Sequence, residues 1–382
     1  MAFTLDAFLL LPRSVQPLLQ KRKAKRETSH KPTATNKGKT NLIYQPSPLT
    51  STVITNCKTI HNYKPTSPMR NPWVQSVWSV VIQGFRPYPL QFDREIITFQ
   101  DGGISAIDWS MTEDDDIDSS APILIILHGL AGDSDKAHIL SVCWEAHQRG
   151  YRVAVMIGRG CGDLELKTAK VYTAGDTEDF RAVLGRIREK YPRAALYGVG
   201  FSLGSNILTR FAGEEGGQCP LNGFVSICNP YDFHEITSDI PLKSKVLHAF
   251  ISKVVMRKQV KKLKELGCAG KIDITRKVFT AEKPTICEND KEARARGFCE
   301  SSCVSYIPNI EIPGLFISAM DDIVCLRKGF PIEKIEHNCN LMMCLTEFGG
   351  HLGYFEGLHA HQWHPEVVMD YFDTLERYFN EQ

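Results

Sequence analysis

Long apolar runs are missing from this chain: no stretch approaches the roughly 18 residues that cross a bilayer as a helix, so no membrane span is expected. Charge of one sign is missing as well. Lys and Arg number 45 against 44 Asp and Glu, a net +1 that offers no global attraction for nucleic acid. Twelve cysteines are present, but they lack the regular spacing of a disulfide framework and the paired CxxC motifs of a zinc site. Several, such as Cys143, Cys228 and Cys344, sit in apolar segments, which suits a reducing compartment, and Cys299 and Cys303, with no second pair and no nearby His ligands, read as ordinary thiols. Neither a metal nor a cofactor is called for. The opening "MAFTLDAFLLLPRSVQ" lacks the basic start of a secretory signal, and its apolar run is cut short by Pro12.

Acidic residues are absent from Thr28 to Phe92, while Ser, Thr, Pro, Asn and Lys dominate up to about Pro68. With the run "KRKAKR" at Lys21 to Arg26, residues 1–71 read as a disordered basic and polar leader. Such a leader suits an organelle presequence, a tether for anionic lipid, or a solvated tail. Residues 72–92 follow as an amphipathic helix, with Trp73, Val77, Val80 and Val81 on one face and Trp78 beside them. That face either meets a membrane interface or packs on the folded domain.

At 382 residues the chain accommodates one large α/β domain with a tail as well as it does two domains. Folded structure is expected from residue 93 to residue 382. "REIITF" and "ISAIDW" around "DGG" read as a hairpin, and "PILIIL" as a strand buried on both sides. Helical and strand-like segments then alternate through "YRVAVMI", "AALYGVG", "GFVSIC", "GLFISAM" and "LMMCLT" to a final helix. This alternation implies a mostly parallel central sheet with helices on both faces. It lapses over about 231–312, which reads as a helical cap insertion. Within the insertion Lys253, Arg257, Lys261 and Lys264 share a helical face, either a lipid-phosphate contact or a solvated surface, with Met256, Val260 and Leu263 on another.

Chemistry enters at "YGVGFSLGSNIL". A neutral hydroxyl needs a base to take its proton, an acid to orient that base, and donors for the developing oxyanion. In "GFSLG", Gly200 and Gly204 permit a sharp strand-to-helix turn that exposes Ser202. "LHGLAGD" after the first buried strand offers the backbone N–H of Leu130, to act with that of Leu203 as an oxyanion hole. His128 reads as a loop-shaping residue, and its spacing to Asp133 matches a His-x4-Asp pattern to which little is attached. "SAMDD" ends a late strand with Asp321 and Asp322, either of which is placed to orient a base. "FGGHLGYFEG" then sets His351 on a Gly-rich loop after the last strand, giving the chain order Ser, Asp, His.

Together "HGLAGDS", "RGYRVAV", "GRGCGD", "VYTAGDTEDF", "YGVGFSLGSNILTRF", "SICNPYDF", "SAMDD" and "GGHLGYFEG" resemble the α/β-hydrolase-domain (ABHD) proteins. The group is that of domain-containing members one and three, with bacterial YheT-like hydrolases and fungal medium-chain ester hydrolases beside them. The resemblance runs from about Arg94 to the C-terminus. It implies an α/β-hydrolase fold, with Ser202 as nucleophile, His351 as base and Asp322 as the acid. It departs at Ile323, where relatives often carry Pro, and at Gly158, where Asn is common. The activity implied is a serine hydrolase acting on carboxylic esters, of acylglycerol or phospholipid type, through an acyl-enzyme. Acyl transfer to an alcohol and a catalytically silent binding protein are the alternatives. The expected partner is a lipid or small ester, with peripheral membrane contact left open and no nucleic acid. The expected location is cytoplasmic or at a membrane surface, with organelle targeting by the leader open.

Overall fold

Five buried strands, each an uninterrupted apolar or small-residue run, fix the centre of the architecture. A computed structural model describes residues 40–65, 67, 69–81, 88–111, 118, 120–233, 235, 261–267, 301–357 and 360–382, with backbone only for 80 and 81. The central run comprises β4 (Ile123–Leu127), β6 (Leu196–Phe201), β7 (Gly223–Ile227), β8 (Gly314–Ala319) and β9 (Leu341–Thr346), every residue of which is buried. Strands of this kind, with no polar alternation, are stable only when covered on both faces, and they pair in parallel here. β5 (Arg152–Ile157) joins β4 in parallel, and the hairpin of β2 (Gln91–Thr98) and β3 (Ile104–Met111) extends that side antiparallel.

Among the described residues the sheet has nine strands in the order β1-β9-β8-β7-β6-β4-β5-β3-β2, where β1 is Asn41–Tyr44. Helices α3 (Ala137–His147), α4 (Glu178–Lys190), α5 (Leu203–Glu215) and α7 (His364–Asn380) supply the cover, with the short α6 (Ile332–Glu336) before β9. In α7 the buried Val367, Val368, Tyr371, Phe372 and Leu375 recur at helical spacing, and in α4 Phe180, Val183, Leu184 and Ile187 do the same. The hairpin and the parallel alternation read from the sequence are present as expected.

Two expectations fail at the N-terminal side. The described part of residues 40–71 holds a strand and a helix that join the sheet and the core, where a disordered leader is expected. β1 (Asn41–Tyr44) pairs antiparallel with the outer edge of β9, Asn41 opposite Leu345 and Tyr44 opposite Met342. α1 (Pro48–Asn56) starts on a capping box: Ser47 and Thr50 exchange side-chain and backbone hydrogen bonds at 3.2 and 2.9 Å, with Pro48 in the first turn. Val53, Cys57, Ile60 and Tyr63 then enter the main core, and Thr59 Oγ1 donates to Asp370 of α7 at 2.8 Å. Polar composition is therefore overridden by tertiary pairing: the few apolar residues here complete a core and a sheet edge that already exist. The remainder of the leader, residues 1–39, lies outside the described residues.

The second failure concerns the extent of α2 (Pro72–Val81), which forms where a helix over 72–92 is expected but has given way to a strand by Gln91; of the two outcomes open for its apolar face, Val77 and Trp78 do not show packing on the domain. Gln75 and Ser79 are buried, whereas Val77 and Trp78 are 57% and 39% exposed. Gln75 is drawn inward because the surface it meets offers backbone N–H and C=O groups, which apolar side chains would leave unpaired. The expected helix over 72–92 ends at Val81, and residues 82–87 lie outside the described residues.

Of the proposed insertion, residues 234, 236–260 and 268–300, including Lys253, Met256, Arg257 and Val260, lie outside the described residues. Its return is anchored on α5, where Asn206 donates to Ser301 O at 2.7 Å and accepts from Cys303 N–H at 3.0 Å. Leu263 is buried against Leu166 and Val171, while Lys262 Nζ donates to the carbonyls of Gly160 and Leu164. No helix among the described residues is long and apolar enough to cross a membrane.

Candidate active site

The turn from β6 into α5 follows from two glycines. A Cβ on Gly200 would meet Ser205 Cα at 2.6 Å, and one on Gly204 would meet the Leu127 carbonyl oxygen at 2.3 Å, so neither position admits a side chain. Between them Ser202 is held at φ 50°, ψ −113°, a conformation that costs a non-glycine residue on the order of 1–3 kcal/mol. The surroundings impose it. Ser202 N–H donates to Ile227 O at 2.9 Å, and the buried Ser205 hydroxyl bonds Gly200 O and Ile227 O at 2.6 and 2.7 Å. Ser205 therefore ties the ends of β6 and β7 together, a role that nothing in the motif announces.

His351 Nε2 lies 3.1 Å from Ser202 Oγ, and its Nδ1 lies 2.9 Å from Asp322 Oδ2 and 3.2 Å from Oδ1. An ionised carboxylate only accepts, so Nδ1 carries the proton and Nε2 presents its lone pair to the serine hydroxyl. Asp322 is itself held: its Oδ1 accepts the backbone N–H of Val324 at 2.7 Å and of Cys325 at 2.9 Å. Asp321, the other carboxylate the residues left open, faces elsewhere and accepts Gly350 N–H at 2.9 Å. Burial pushes Asp321 up to about 6. The structure thus brings Ser202, His351 and Asp322 into one hydrogen-bonded chain.

The loop after β4 runs against this serine: a Cβ on Gly129 would sit 3.4 Å from Ser202 Cβ. Leu130 follows directly, and Leu203, as the first residue of α5, has no intrahelical acceptor for its N–H. His128 is buried with Nδ1 2.6 Å from Gly129 O, and its Nε2 accepts Gly158 N–H at 3.1 Å. It shapes the loop, as read from the sequence. Burial pushes its pKa down, in keeping with a neutral ring. Gly158 has a reason in this chain: a Cβ there would meet the Tyr172 ring at 2.4 Å, and Tyr172 donates to His128 O at 3.1 Å.

Sequence reasoning missed the support for the histidine loop, which comes from α2. Ser76 Oγ accepts His351 N–H at 2.8 Å while donating to Pro72 O at 2.8 Å. Gln75 is fully buried; its Oε1 accepts Phe355 N–H at 2.9 Å and its Nε2 donates to Tyr63 Oη and Met69 O at 2.8 and 2.5 Å. The only signal available was the absence of apolar residues at positions 75, 76 and 79 of an otherwise apolar helix.

Comparison with known proteins follows the same lines. Residues 122–264 match the family described as the alpha/beta hydrolase fold. The chain is 30% identical over 319 residues to the embryogenesis-associated protein EMB8 of Picea glauca, covering 77% of this chain and 68% of that protein. It is 26% identical over 372 residues to medium-chain fatty acid ethyl ester synthase/esterase 2 of Saccharomyces cerevisiae, covering 76% and 81%. Over 288 residues it is 28% identical to phospholipase ABHD3 of Mus musculus, covering 72% and 69%.

Proposed function

Because the chain belongs to the ABHD-type α/β-hydrolases, we propose that Ser202, His351 and Asp322 work as nucleophile, base and orienting acid in the cleavage of lipid carboxylic esters. The chain is a carboxylic ester hydrolase. Ser202 Oγ attacks the ester carbonyl as its proton passes to His351 Nε2. The oxyanion meets the N–H groups of Leu130 and Leu203, and His351 returns the proton to the departing alcohol. Water then adds to the acyl-enzyme with His351 again as base, releasing the fatty acid and restoring the serine. The observation that carries this reading is the 3.1 Å contact from His351 Nε2 to Ser202 Oγ, with Nδ1 committed to Asp322. Lipid as the substrate class is supported by the relatives named as a phospholipase and a medium-chain fatty acid ethyl ester synthase/esterase.

A fluorophosphonate probe tests the nucleophile: it labels the wild type and not Ser202→Ala. A panel of monoacylglycerols, phosphatidylcholines and simple esters, with Ser202→Ala as blank, then identifies the ester. Absence of labelling in a folded wild type overturns the reading in favour of a hydrolase-like binding protein. The relative named as an ester synthase favours a second outcome at the same residues, acyl transfer to an alcohol in place of water. Product analysis in mixed alcohol and water separates the two.

Peripheral lipid contact belongs to the same proposal. It is supported by the exposure of Val77 and Trp78 on the helix that also carries Ser76. Val77→Asp with Trp78→Asp lowers sedimentation with phosphatidylcholine vesicles; unchanged sedimentation removes this part.

A further inference from the structure

Beside the His351–Asp322 pair lies a third group that ester cleavage does not use. Cys228 follows β7 at φ 52°, a left-handed conformation uncommon for a side chain of this kind, and its thiol is buried. Its Sγ, a ring nitrogen of His351 and a carboxylate oxygen of Asp322 all lie within 4.8 Å of one another. Bonds to a zinc-class ion are about 2.0–2.3 Å long, so donors around one tetrahedral ion stand roughly 3.5 Å apart. Shifts of about an ångström therefore bring these three onto a common centre.

The groups that would hold each ligand are already present. Leu352 N–H donates to Cys228 Sγ at 3.3 Å, and Tyr354 Oη lies 3.5 Å from it. Both suit a thiolate. Asp322 is fixed by two backbone N–H groups, as described above. Partners of this kind orient metal ligands and are each worth roughly 10–100-fold in affinity. Charge also balances: one thiolate and one carboxylate neutralise a divalent ion, so the occupied site carries no net charge into a buried region. Burial, and after it the Asp322 carboxylate, push the Cys228 thiol well up, but a coordinating cation displaces that proton outright.

We propose that Cys228, Asp322 and His351 form an inhibitory site for a thiophilic divalent cation of the zinc class. The cation comes from solution and takes Sγ, a carboxylate oxygen and Nδ1. The thiol proton leaves to solvent, and the ring proton moves from Nδ1 to Nε2. Nε2 then carries a hydrogen and no longer accepts the proton of Ser202. The consequence for turnover rests on His351 acting as the base; the binding itself does not.

Two measurements on the full chain, freed of metal with a chelator, separate these. Co2+ titrated into Ser202→Ala gives a thiolate-to-metal charge-transfer band that saturates at one equivalent and is lost in Ser202→Ala/Cys228→Ser. Zn2+ suppresses fluorophosphonate labelling of the wild type, and Cys228→Ser, with or without Zn2+ compared within the variant, requires on the order of a hundredfold more metal. Tyr354→Phe requires about tenfold more. If the charge-transfer band survives the loss of Cys228, or Cys228→Ser stays as sensitive to Zn2+ as the wild type, the site is overturned. Should Cys228→Ser fail to fold, Cys228→Ala is read in the same two assays. A folded wild type that never labels overturns the proposed hydrolysis instead, and the Co2+ spectrum still decides the metal site.

Discussion

Ser76 Oγ accepts the backbone N–H of His351 at 2.8 Å, across 275 residues of sequence. With Gln75 on the N–H of Phe355, it pins both sides of the loop that carries the imidazole. α2 lies outside the segment that matches the family and yet sets where the base stands.

Ser76→Ala removes the acceptor and leaves a part-buried N–H unpaired, a loss of about 1–3 kcal/mol. Spent on histidine position, this lowers kcat by roughly tenfold with KM nearly unchanged, since misplacement by an ångström far from substrate contacts acts on the chemical step. Ser76→Thr keeps the hydroxyl and recovers most of the rate. Steady-state kinetics on all three proteins decide it; a rise in KM alone would show that Ser76 serves binding instead.

The strain at Ser202 has its own signature. Both Ser202→Ala and Ser202→Gly lack the nucleophile, but only glycine relaxes at φ 50°. Ser202→Gly is therefore the more stable of the two by about 1 kcal/mol, after its greater freedom in the unfolded chain is subtracted. Urea unfolding compares them directly, and an alanine variant of equal or greater stability contradicts the assignment of strain.

Ile60 is fully buried within a stretch whose composition reads as unstructured. Ile60→Ala costs about 3 kcal/mol if the segment is part of the core, and close to nothing if it is a tail. The unfolding midpoint in denaturant is the readout.

Acid sensitivity follows from His364. Burial depresses its pKa from 6.5 to about 3, so below 6.5 the unfolded chain binds a proton that the folded chain refuses. Stability is therefore intact above that value and is lost as pH falls from 6.5 toward 3. His138, also buried and shifted in the same direction, adds to the slope. Asp321, raised from 3.8 to about 6, works against it, because the folded chain holds that proton longer. His128, buried and lowered as well, works with the two histidines, and Glu366, raised by burial, works with Asp321. In His364→Phe the fall of Tm between about pH 6.5 and 4 becomes shallower; an unchanged slope would assign the acid loss to other groups.

Much of this was readable from residues alone. "LIIL" and "LYGVGF" announce buried parallel strands because nothing polar interrupts them, and the glycines around Ser202 announce a turn because only backbone fits there. The orienting carboxylate was open between Asp321 and Asp322 on the residues, since a strand end does not fix which neighbour faces the base; the resemblance favoured Asp322, and the hydrogen bonds agree. β1 was illegible: four residues amid Ser, Thr, Pro and Lys gain their structure from β9 and not from local preference. α2 showed its helical period but not which face turns inward, because that depended on unpaired backbone groups of a loop near residue 350. Cys228 gave no sign at all, for its neighbours come from residues 322, 352 and 354.

The pairing of Asn41–Tyr44 with residues 342–345 also orders events during synthesis. Among the described residues, the most N-terminal strand pairs with the most C-terminal strand of the same sheet, some 300 positions later. Until β9 is made, β1 has no sheet edge to complete, and its backbone groups stay unpaired with the sheet. Such a long-range closure belongs among the slow steps of folding, because the chain between the two strands must be ordered before their contacts form.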